Sequence, residues 1–353
     1  MKQEVGTRAL LVALPISLIG ALPAPAAPTQ TKINKCPYVI TAPGSYLLQK
    51  NLSCGVTAIT INASNVDLDL GGHTLSGSGA GDGIDVEVQS NVSIHDGAVQ
   101  GFTNGVVHQH TLDCKIATVT VSQNGNLGII GGDTFGLTVT GCTATQNRVY
   151  GIWVGADARA NTITHNVANG NGYGGIALGG AFATSVTNNT TSDNGGVGID
   201  ILTAVGNTVA GNTADRNPLV GIQLYDHSNG NTVTGNSATG NGWGINMSIG
   251  SANNTIRNNT VSGNSTGIEV GGSDRNASFN TIQANTASAN TLGIWVEDGA
   301  TGNTIQGNTA LSNNAWDLGD QNPNCDSNTW SGNIFQTANQ PCAAGLSLPP
   351  PPP

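Results

Sequence analysis

Two glutamates in the C-terminal third have the residue type and spacing of an acid–base pair. Glu269 lies in the motif Gly-Ile-Glu-Val, and Glu297 directly follows the related motif Gly-Ile-Trp-Val. Paired carboxyl groups about 5–9.5 Å apart hydrolyse glycosidic bonds. If the two motifs are neighbouring strands, the spacing of strands and residues places these carboxyl groups roughly 8 Å apart. That separation suits an inverting hydrolase, while charged surface residues at a strand end are the alternative.

A second set of candidates combines histidine with aspartate. Aligning the segments around Val106 and Ile129 places His110 beside Asp133, and the sequence Tyr-Asp-His at 225–227 sets Asp226 next to His227. An imidazole with a carboxylate can transfer protons or bind a metal ion. Polar strand ends explain the same patterns without chemistry, so both interpretations stay open.

The x positions of the recurring Gly-Ile-x-apolar motif form one predicted column on the outside of the molecule. Aromatic rings beside carboxylates and amides suit sugars, which have an apolar face and hydroxyl groups. We therefore expect an exposed column that binds substrate, bordered by Tyr150, Tyr173 and Trp243; a solvated face with two surface tryptophans is the alternative. The predicted substrate-binding residues are Trp153, Asp200, Gln223, Asn246, Trp295 and Tyr225.

The elements that must hold these residues repeat about every 23 residues. Asparagines recur in three columns, with steps of mostly 23, sometimes 24 and once 26 residues. Helical repeats are longer and follow a period of 3.6, whereas the apolar residues here alternate as in strands. The sequence predicts an all-β fold, a single-stranded right-handed parallel β-helix with three sides. We expect the column asparagines to adopt the left-handed backbone of tight corners and to bond to one another as ladders.

The chain divides into five predicted segments. A short positive region with Lys2 and Arg8, an apolar stretch and small residues before position 27 are typical of an export signal cleaved after Ala26. We expect a secreted, periplasmic or cell-surface protein, with no other segment that crosses a membrane. The predicted segments are the signal peptide 1–26, an N-terminal cap and first coil 27–58, the repeats 59–318, a C-terminal cap 319–342 and a Pro-rich tail 343–353.

Export makes the six cysteines candidates for disulfides. Cys36 and Cys54 flank an N-terminal segment, and Cys325 and Cys342 flank a C-terminal one, so each pair is predicted to bond. Free buried thiols are favoured for the remaining Cys114 and Cys142, with a third bridge as the alternative.

Composition limits the partners. A net charge of -10 with 11 lysines and arginines excludes a basic surface that could follow nucleic-acid phosphates. A polysaccharide partner is compatible with this composition. Ca²⁺ is a candidate cofactor. The sequence does not identify residues that bind a metal ion, and it does not indicate an oligomeric state.

Stretches at both ends of the repeats resemble a known family. "PGSYLLQKNLSC" followed by "NVDLDLGGHTLSG", and later "NAWDLGDQNPNCDSNTWSGNIF", are similar to the opening and closing coils of right-handed parallel β-helix proteins of the pectate-lyase-like architecture, in particular the NosD-like families. The resemblance covers about residues 38–335. It implies a periplasmic accessory role in copper-site maturation, although soft ligands are scarce, with only Met1 and Met247 as methionines.

The enzyme motifs of related folds are incomplete here. The run Tyr225-Asp226-His227 resembles part of the mannuronan C5-epimerase motif but lacks its proline and second aspartate. The polygalacturonase motifs and the basic cluster of pectate lyases are absent from the sequence. The leading hypothesis is a protein that binds or modifies a polysaccharide along the exposed sheet. The alternatives are a non-catalytic structural or accessory envelope protein, or a polysaccharide lyase, epimerase or hydrolase.

Overall fold

A computed structural model describes residue 1, residues 30–272 and residues 276–345. The predicted signal peptide apart from Met1, and the tail beyond residue 345, lie outside the described residues. The described chain is a parallel β-solenoid with strands on three sides and one short 3₁₀ helix, Pro323–Cys325. The predicted all-β parallel solenoid is confirmed.

One long sheet, called here the front sheet, contains the Gly-Ile-x-apolar motifs. Its 13 strands follow one another in chain order, each parallel to the next. They are Tyr38–Ile40, Ile59–Ile61, Asp82–Glu87, Asn104–Gln109, Ile129–Gly132, Tyr150–Gly155, Gly174–Gly179, Val197–Leu202, Val220–Tyr225, Trp243–Ser248, Thr266–Gly271, Leu292–Val296 and Trp316–Asp320.

The other sides of the coil carry shorter strands, which form a 17-stranded back sheet and a three-stranded sheet. The back sheet consists of Thr31–Ile33, Gly44–Leu48, Leu52–Cys54, Val66–Asp69, Thr74–Gly77, Val92–Gln100, Lys115–Ser122, Thr138–Thr140, Thr143–Thr145, Thr162–Thr164, Ser185–Thr187, Thr208–Ala210, Thr232–Thr234, Thr255–Arg257, Thr281–Gln283, Thr304–Gln306 and Thr329–Ser331. The three-stranded sheet consists of Ser237–Thr239, Thr260–Ser262 and Thr286–Ser288.

The core is a set of stacked aliphatic columns between the sheets. In the front sheet, Ile84 pairs with Val106 and Val106 with Ile129, and the same register continues to Ile294 and Leu318. All five side chains have no solvent exposure. Burial of each stabilises the fold by roughly 1.5–3 kcal/mol. Because side chains alternate across a strand, this register also fixes which residues point outward.

Three asparagine ladders run along the corners, as the sequence predicts. In the middle of one ladder, Asn212 Nδ2 donates to Asn236 Oδ1 over 2.9 Å and to the Val186 carbonyl over 2.9 Å, while Asn212 Oδ1 accepts from the Asn189 amide. The ladders consist of Asn161, Thr184, Asn207, Asn231, Asn254, Asn280, Asn303 and Asn328; Asn166, Asn189, Asn212, Asn236, Asn259, Asn285, Asn308 and Asn333; and Asn124, Asn147, Asn171, Asn194, Asn217, Asn241, Asn264, Asn290 and Asn313.

The expectation that the ladder asparagines themselves adopt the left-handed backbone is wrong. The residue immediately before the ladder asparagine turns the corner instead, with φ of 56° at His165, 65° at Gly211 and 53° at Ala284. The asparagine side chain must point into the coil to bond to backbone groups and to the next amide. The preceding residue therefore takes the positive φ, which glycine adopts most easily.

The cysteines follow the predicted pairing. Cys36 bonds to Cys54 and Cys325 bonds to Cys342, while Cys114 and Cys142 are free and buried. Burial raises the pKa of the Cys142 thiol to about 11, so this thiol is unreactive at neutral pH. In the described chain, no helix is long and apolar enough to span a bilayer.

Candidate functional site

The predicted outward column exists and is in register. Front-sheet pairing joins Trp153 to Ala177, Ala177 to Asp200, Asp200 to Gln223, and then Gln223 to Asn246 and Asn246 to Glu269. A groove lies over the second half of this column. It has two adjoining lobes, with volumes of about 410 Å³ and 360 Å³. The first lobe is lined by Val220, Gln223, Tyr225, Trp243, Asn246, Ser248, Glu269, Gly272 and Glu297, and the second by Tyr150, Tyr173, Asp200, Leu202, Leu219, Val220, Gln223, Tyr225 and Trp243.

Aromatic side chains form one long rim of the groove. Tyr150 and Trp243 open their front-sheet strands, three positions before the outward column, and Tyr173 directly precedes its strand. The rings of Tyr150 and Tyr173 meet edge to face, 5.3 Å apart. Tyr173, Leu219 and Trp243 are 40%, 46% and 36% exposed. Half-exposed rings with a polar edge are suited to stacking against a ligand that is itself partly apolar.

Asp200 lies at the bottom of the second lobe with an incomplete set of hydrogen bonds. Its Oδ2 accepts from the Tyr150 hydroxyl over 2.7 Å, whereas its buried Oδ1 has no hydrogen-bond partner. Burial raises the pKa of Asp200, against the Tyr150 hydrogen bond, which lowers it. A buried acceptor without a donor is unfavourable by about 1–3 kcal/mol. A ligand hydroxyl in the groove would supply the missing donor.

Glu269 and Glu297 form a carboxyl pair in the first lobe. Burial raises the pKa of Glu269 to about 7, and the charge of Glu297 and a side-chain hydrogen bond to it act in the same direction. Hydrogen bonds from Trp243 and from Asn246, the latter 2.5 Å from Glu269 Oε2, lower the pKa. Glu269 therefore holds a proton in about half of the molecules at pH 7, and in that state its hydroxyl donates a hydrogen bond to Glu297.

The separation expected for this glutamate pair is wrong. Backbone spacing alone indicated roughly 8 Å, but the two side chains extend toward each other and share a hydrogen bond. An inverting hydrolase needs about 6.5–9.5 Å between the carboxyl groups to hold a water molecule. The pair as it stands has no room for that water.

The expected exposure of the column is also wrong. Asp200 and Asn246 are each 6% exposed and Glu269 is 7% exposed. Large side chains in the neighbouring columns, above all Tyr150 and Trp243, stand over these smaller residues and shield them. The column is therefore the bottom of a groove and not an open surface.

The two column tryptophans lie outside the groove lining. Trp153 and Trp295 are both half-buried, with their rings across the sheet over glycines. The Trp153 ring covers Gly155 and Gly179, positions where a Cβ would collide with it. Trp295 pairs with Glu269 in register and so lies next to the carboxyl pair. Their predicted role in substrate binding stays a prediction.

Gln223 and Tyr225 line both lobes and join them. Asp226 and His227 follow in the turn, where His227 Nδ1 lies 2.8 Å from Asp226 Oδ1. Both turn residues are outside the groove lining. Their predicted catalytic role stays a prediction, whereas Tyr225 lies in the groove lining.

The predicted neighbours His110 and Asp133 do meet. His110 Nε2 is 3.2 Å from Asp133 Oδ2, and the His110 side chain is 52% exposed. This pair lies at the ends of earlier front-sheet strands, beyond the groove lining. The nearby His108 is buried in the core, and burial lowers its pKa to about 3. A catalytic role for His110 and Asp133 stays a prediction.

Several groove residues were not among the sequence candidates. Leu219, Val220, Leu202 and Ser248 complete the walls. In a single sequence, the apolar Leu202, Leu219 and Val220 cannot be told from core residues. The hydrogen bond between Tyr150 and Asp200 spans two coils, so no local motif reveals it.

Comparison with known proteins identifies the family of this chain. The family model described as periplasmic copper-binding protein (NosD) matches residues 57–242 and 206–340. The chain belongs to the NosD family. No curated protein matches this NosD-family sequence.

Three solved structures share the fold of this NosD-family chain. The Azotobacter vinelandii mannuronan C-5 epimerase AlgE6 A-module is 18% identical, with a TM-score of 0.54 and coverage of 85% of this chain and 90% of that one. A variant of the periplasmic alginate epimerase AlgG is 17% identical, with a TM-score of 0.57 and coverage of 84% and 79%. The Dettilon tailspike protein is 17% identical, with a TM-score of 0.57 and coverage of 88% and 61%. At these identities the likeness extends to the fold alone.

The residues of this chain do not fit a copper site with soft ligands. Met247 is buried, Cys114 and Cys142 are buried thiols, and the other four cysteines form disulfides. Among the described residues, one group could hold a metal ion, namely Asp69, His95 and Asp96 on the back sheet. Its two carboxylates and single imidazole are harder donors than copper(I) prefers. This group therefore does not suit a copper(I) ion.

Proposed function

We propose that this NosD-family protein binds a polysaccharide in the front-sheet groove, and that Glu269 is the proton donor in any reaction of the bound chain. The observation that supports this proposal is the groove itself, where a half-exposed aromatic rim stands over buried carboxyl groups, one of which, Asp200, has an oxygen without a donor. Sugar rings offer both an apolar face and hydroxyl donors. The elongated shape of two adjoining lobes matches a chain of sugars better than a single small molecule.

The carboxyl pair gives this proposal its chemical content. With a pKa of about 7 and a hydrogen bond to Glu297, Glu269 is protonated in about half of the molecules at pH 7. A carboxylic acid in this state can protonate a leaving oxygen of a glycosidic bond. The carboxylate of Glu297 beside it then stabilises the positive charge that develops on the sugar ring, or accepts a proton. Tyr225, which joins the two lobes, faces the same space.

The test is an incubation of the mature protein with a panel of neutral and uronic polysaccharides, with and without calcium. Retention on the immobilised polysaccharide and new reducing or unsaturated ends are recorded together. New reducing ends alone would indicate hydrolysis, and unsaturated ends would indicate a lyase. Retention without product would indicate a binding module, and no retention on any polysaccharide would favour the structural or accessory alternative.

Variants assign the result to the groove. Glu269→Gln is expected to abolish product formation while the protein stays folded, because the amide cannot donate a proton as an acid does. Glu87→Gln is the matched control, since Glu87 is an exposed carboxylate on the same sheet outside the groove. Equal loss of product in both variants would contradict the proposal.

We also propose that the protein acts outside the cytoplasm, in the periplasm or at the cell surface. The matching family is described as periplasmic, and two disulfides suit an oxidising compartment. Cell fractionation with mass spectrometry of the mature N-terminus tests this proposal. A cytoplasmic protein that retains residues 1–26 would contradict it.

A further inference from the structure

The groove has an unbalanced charge. Three of its lining residues are carboxylic acids, Asp200, Glu269 and Glu297. Within the described part of the chain, none of the residues that line either lobe is lysine, arginine or histidine. The whole chain carries a net charge of -10. A polyanionic ligand would therefore meet acidic side chains in both lobes and no compensating cation.

Hydrogen bonding gives the same preference independently of charge. The free Oδ1 of Asp200 is an acceptor that needs a donor, and the side chain is only 6% exposed. A sugar hydroxyl can donate to it, whereas each uronic acid unit replaces the C6 hydroxyl of the neutral sugar with a carboxylate that only accepts. A buried acceptor that faces another acceptor leaves both unpaired, and such mismatches give strong discrimination between ligands.

We propose that the ligand of this groove is a neutral polysaccharide, recognised through a hydroxyl that donates to Asp200, and not a polyuronate. This inference rests on the proposed function and specifies its substrate class. It sets this chain apart from the proteins named as alginate epimerases, whose fold it shares.

The decisive experiment compares one polymer in two charge states. Alginate and its carboxyl-reduced derivative have the same linkages, but only the first is anionic. In affinity electrophoresis of the protein without residues 1–26, we expect the reduced, neutral polymer to retain the protein at least tenfold more strongly than alginate does. Raising the ionic strength should leave retention by the neutral polymer unchanged and should relieve part of the repulsion from alginate.

Three further neutral polymers, glucan, xylan and mannan, extend the comparison. They are needed because alginate and its reduced derivative test the effect of charge only for the linkages of alginate. Stronger retention by alginate than by its reduced form, or by polygalacturonate than by every neutral polymer, would overturn the inference and leave polysaccharide binding intact. Retention by no polymer at all would overturn both the inference and the proposed function. The two failures are therefore distinguishable.

The variant Asp200→Asn tests the role of the unpaired oxygen. We expect roughly tenfold weaker retention by the best neutral polymer, the effect of one hydrogen bond to a charged group. We also expect less discrimination against alginate, because the amide removes a charge and adds a donor. Glu87→Gln should change neither value. Unchanged neutral retention in Asp200→Asn, with the fold verified by circular dichroism, would overturn the assigned contact.

Discussion

The asparagine ladders and the front-sheet groove differ in how completely their buried polar groups are hydrogen-bonded. Each interior ladder asparagine bonds to its neighbours on both sides, as Asn212 does with Asn189 and Asn236. In the groove, Asp200 Oδ1 has no partner and two glutamates share one proton. Satisfied polar groups stabilise and specify a fold, whereas unsatisfied ones reduce stability unless a ligand completes them. The contrast separates the residues that stabilise the fold from those to which we assign ligand binding.

The largest expected effect comes from breaking a ladder in its middle. Asn212→Ala removes the partners of the Asn189 amide groups and of the Val186 carbonyl. Since each buried group left unpaired is unfavourable by about 1–3 kcal/mol, we expect the free energy of unfolding to fall by about 3 kcal/mol. Urea denaturation followed by circular dichroism measures this change.

The control for the ladder is Asn314→Ala, an exposed asparagine outside the three columns. It should change the free energy of unfolding by less than about 0.5 kcal/mol. Equal destabilisation by both substitutions would show that the ladder is no more than a sequence repeat.

The second effect tests the opposite behaviour in the groove. The pKa of Glu269 is about 7 in the folded protein against an ordinary value of 4.5, so the folded state holds more protons between these values. The free energy of unfolding should therefore fall as pH rises through this window, by up to about 3 kcal/mol. Glu269→Gln should flatten this dependence and make the protein more stable than wild type at pH 8.

Thermal unfolding between pH 5 and 8 measures this slope, with Glu87→Gln as the control that keeps the wild-type profile. If Glu269→Gln kept the full slope, the protonated carboxyl pair would not exist. Greater stability of Glu269→Gln combined with lost product formation would mark this position as functional.

A smaller effect concerns the aromatic rim. Trp243→Ala is expected to weaken polysaccharide retention roughly tenfold, the size of one lost ring contact with a ligand. Trp316 is the matched control, because it lies further along the same register column, is similarly exposed and does not line the groove. Affinity electrophoresis of Trp243→Ala and Trp316→Ala should separate them. Equal losses would place the binding surface along the whole sheet.

The smallest effect concerns the exposed pair of His110 and Asp133. Exposed ion pairs contribute little to stability, and this one lies outside the groove lining. His110→Gln should leave the melting temperature, retention and product formation at wild-type values. A loss of product in this variant would move the reacting centre away from the groove and toward the predicted histidine cluster.

Sequence patterns predicted the parts of the molecule that repeat. The Ile columns, the ladders and the register that joins Asp200, Gln223, Asn246 and Glu269 follow from spacing. The disulfides follow from the export signal and from the cysteine pairs that flank the two terminal segments. Spacing could not predict how far side chains extend or what covers them. Spacing therefore gave a wrong separation for the Glu269 and Glu297 carboxyl groups. Nor could it show that Tyr150, which lies two coils away from Asp200, covers the Asp200 side chain.

One signal of the groove was present in the sequence as an interruption of the repeat. The three ladders step by 26 residues instead of 23 or 24 between Asn254 and Asn280, Asn259 and Asn285, and Asn264 and Asn290. The front-sheet register shows the same step between Glu269 and Trp295. The additional residues belong to the coil that begins with Thr266–Gly271, next to the carboxyl pair.

That longer coil has a consequence for how such a molecule can diversify. All three ladders keep their hydrogen bonds across the step, at 3.0 Å each, so the coils on either side of the added residues stay in register. We expect a coil of different length to leave its neighbouring coils in register. Coils of unequal length can thus stack in one solenoid, because the ladder bonds join the corner residues and do not depend on how many residues lie between them.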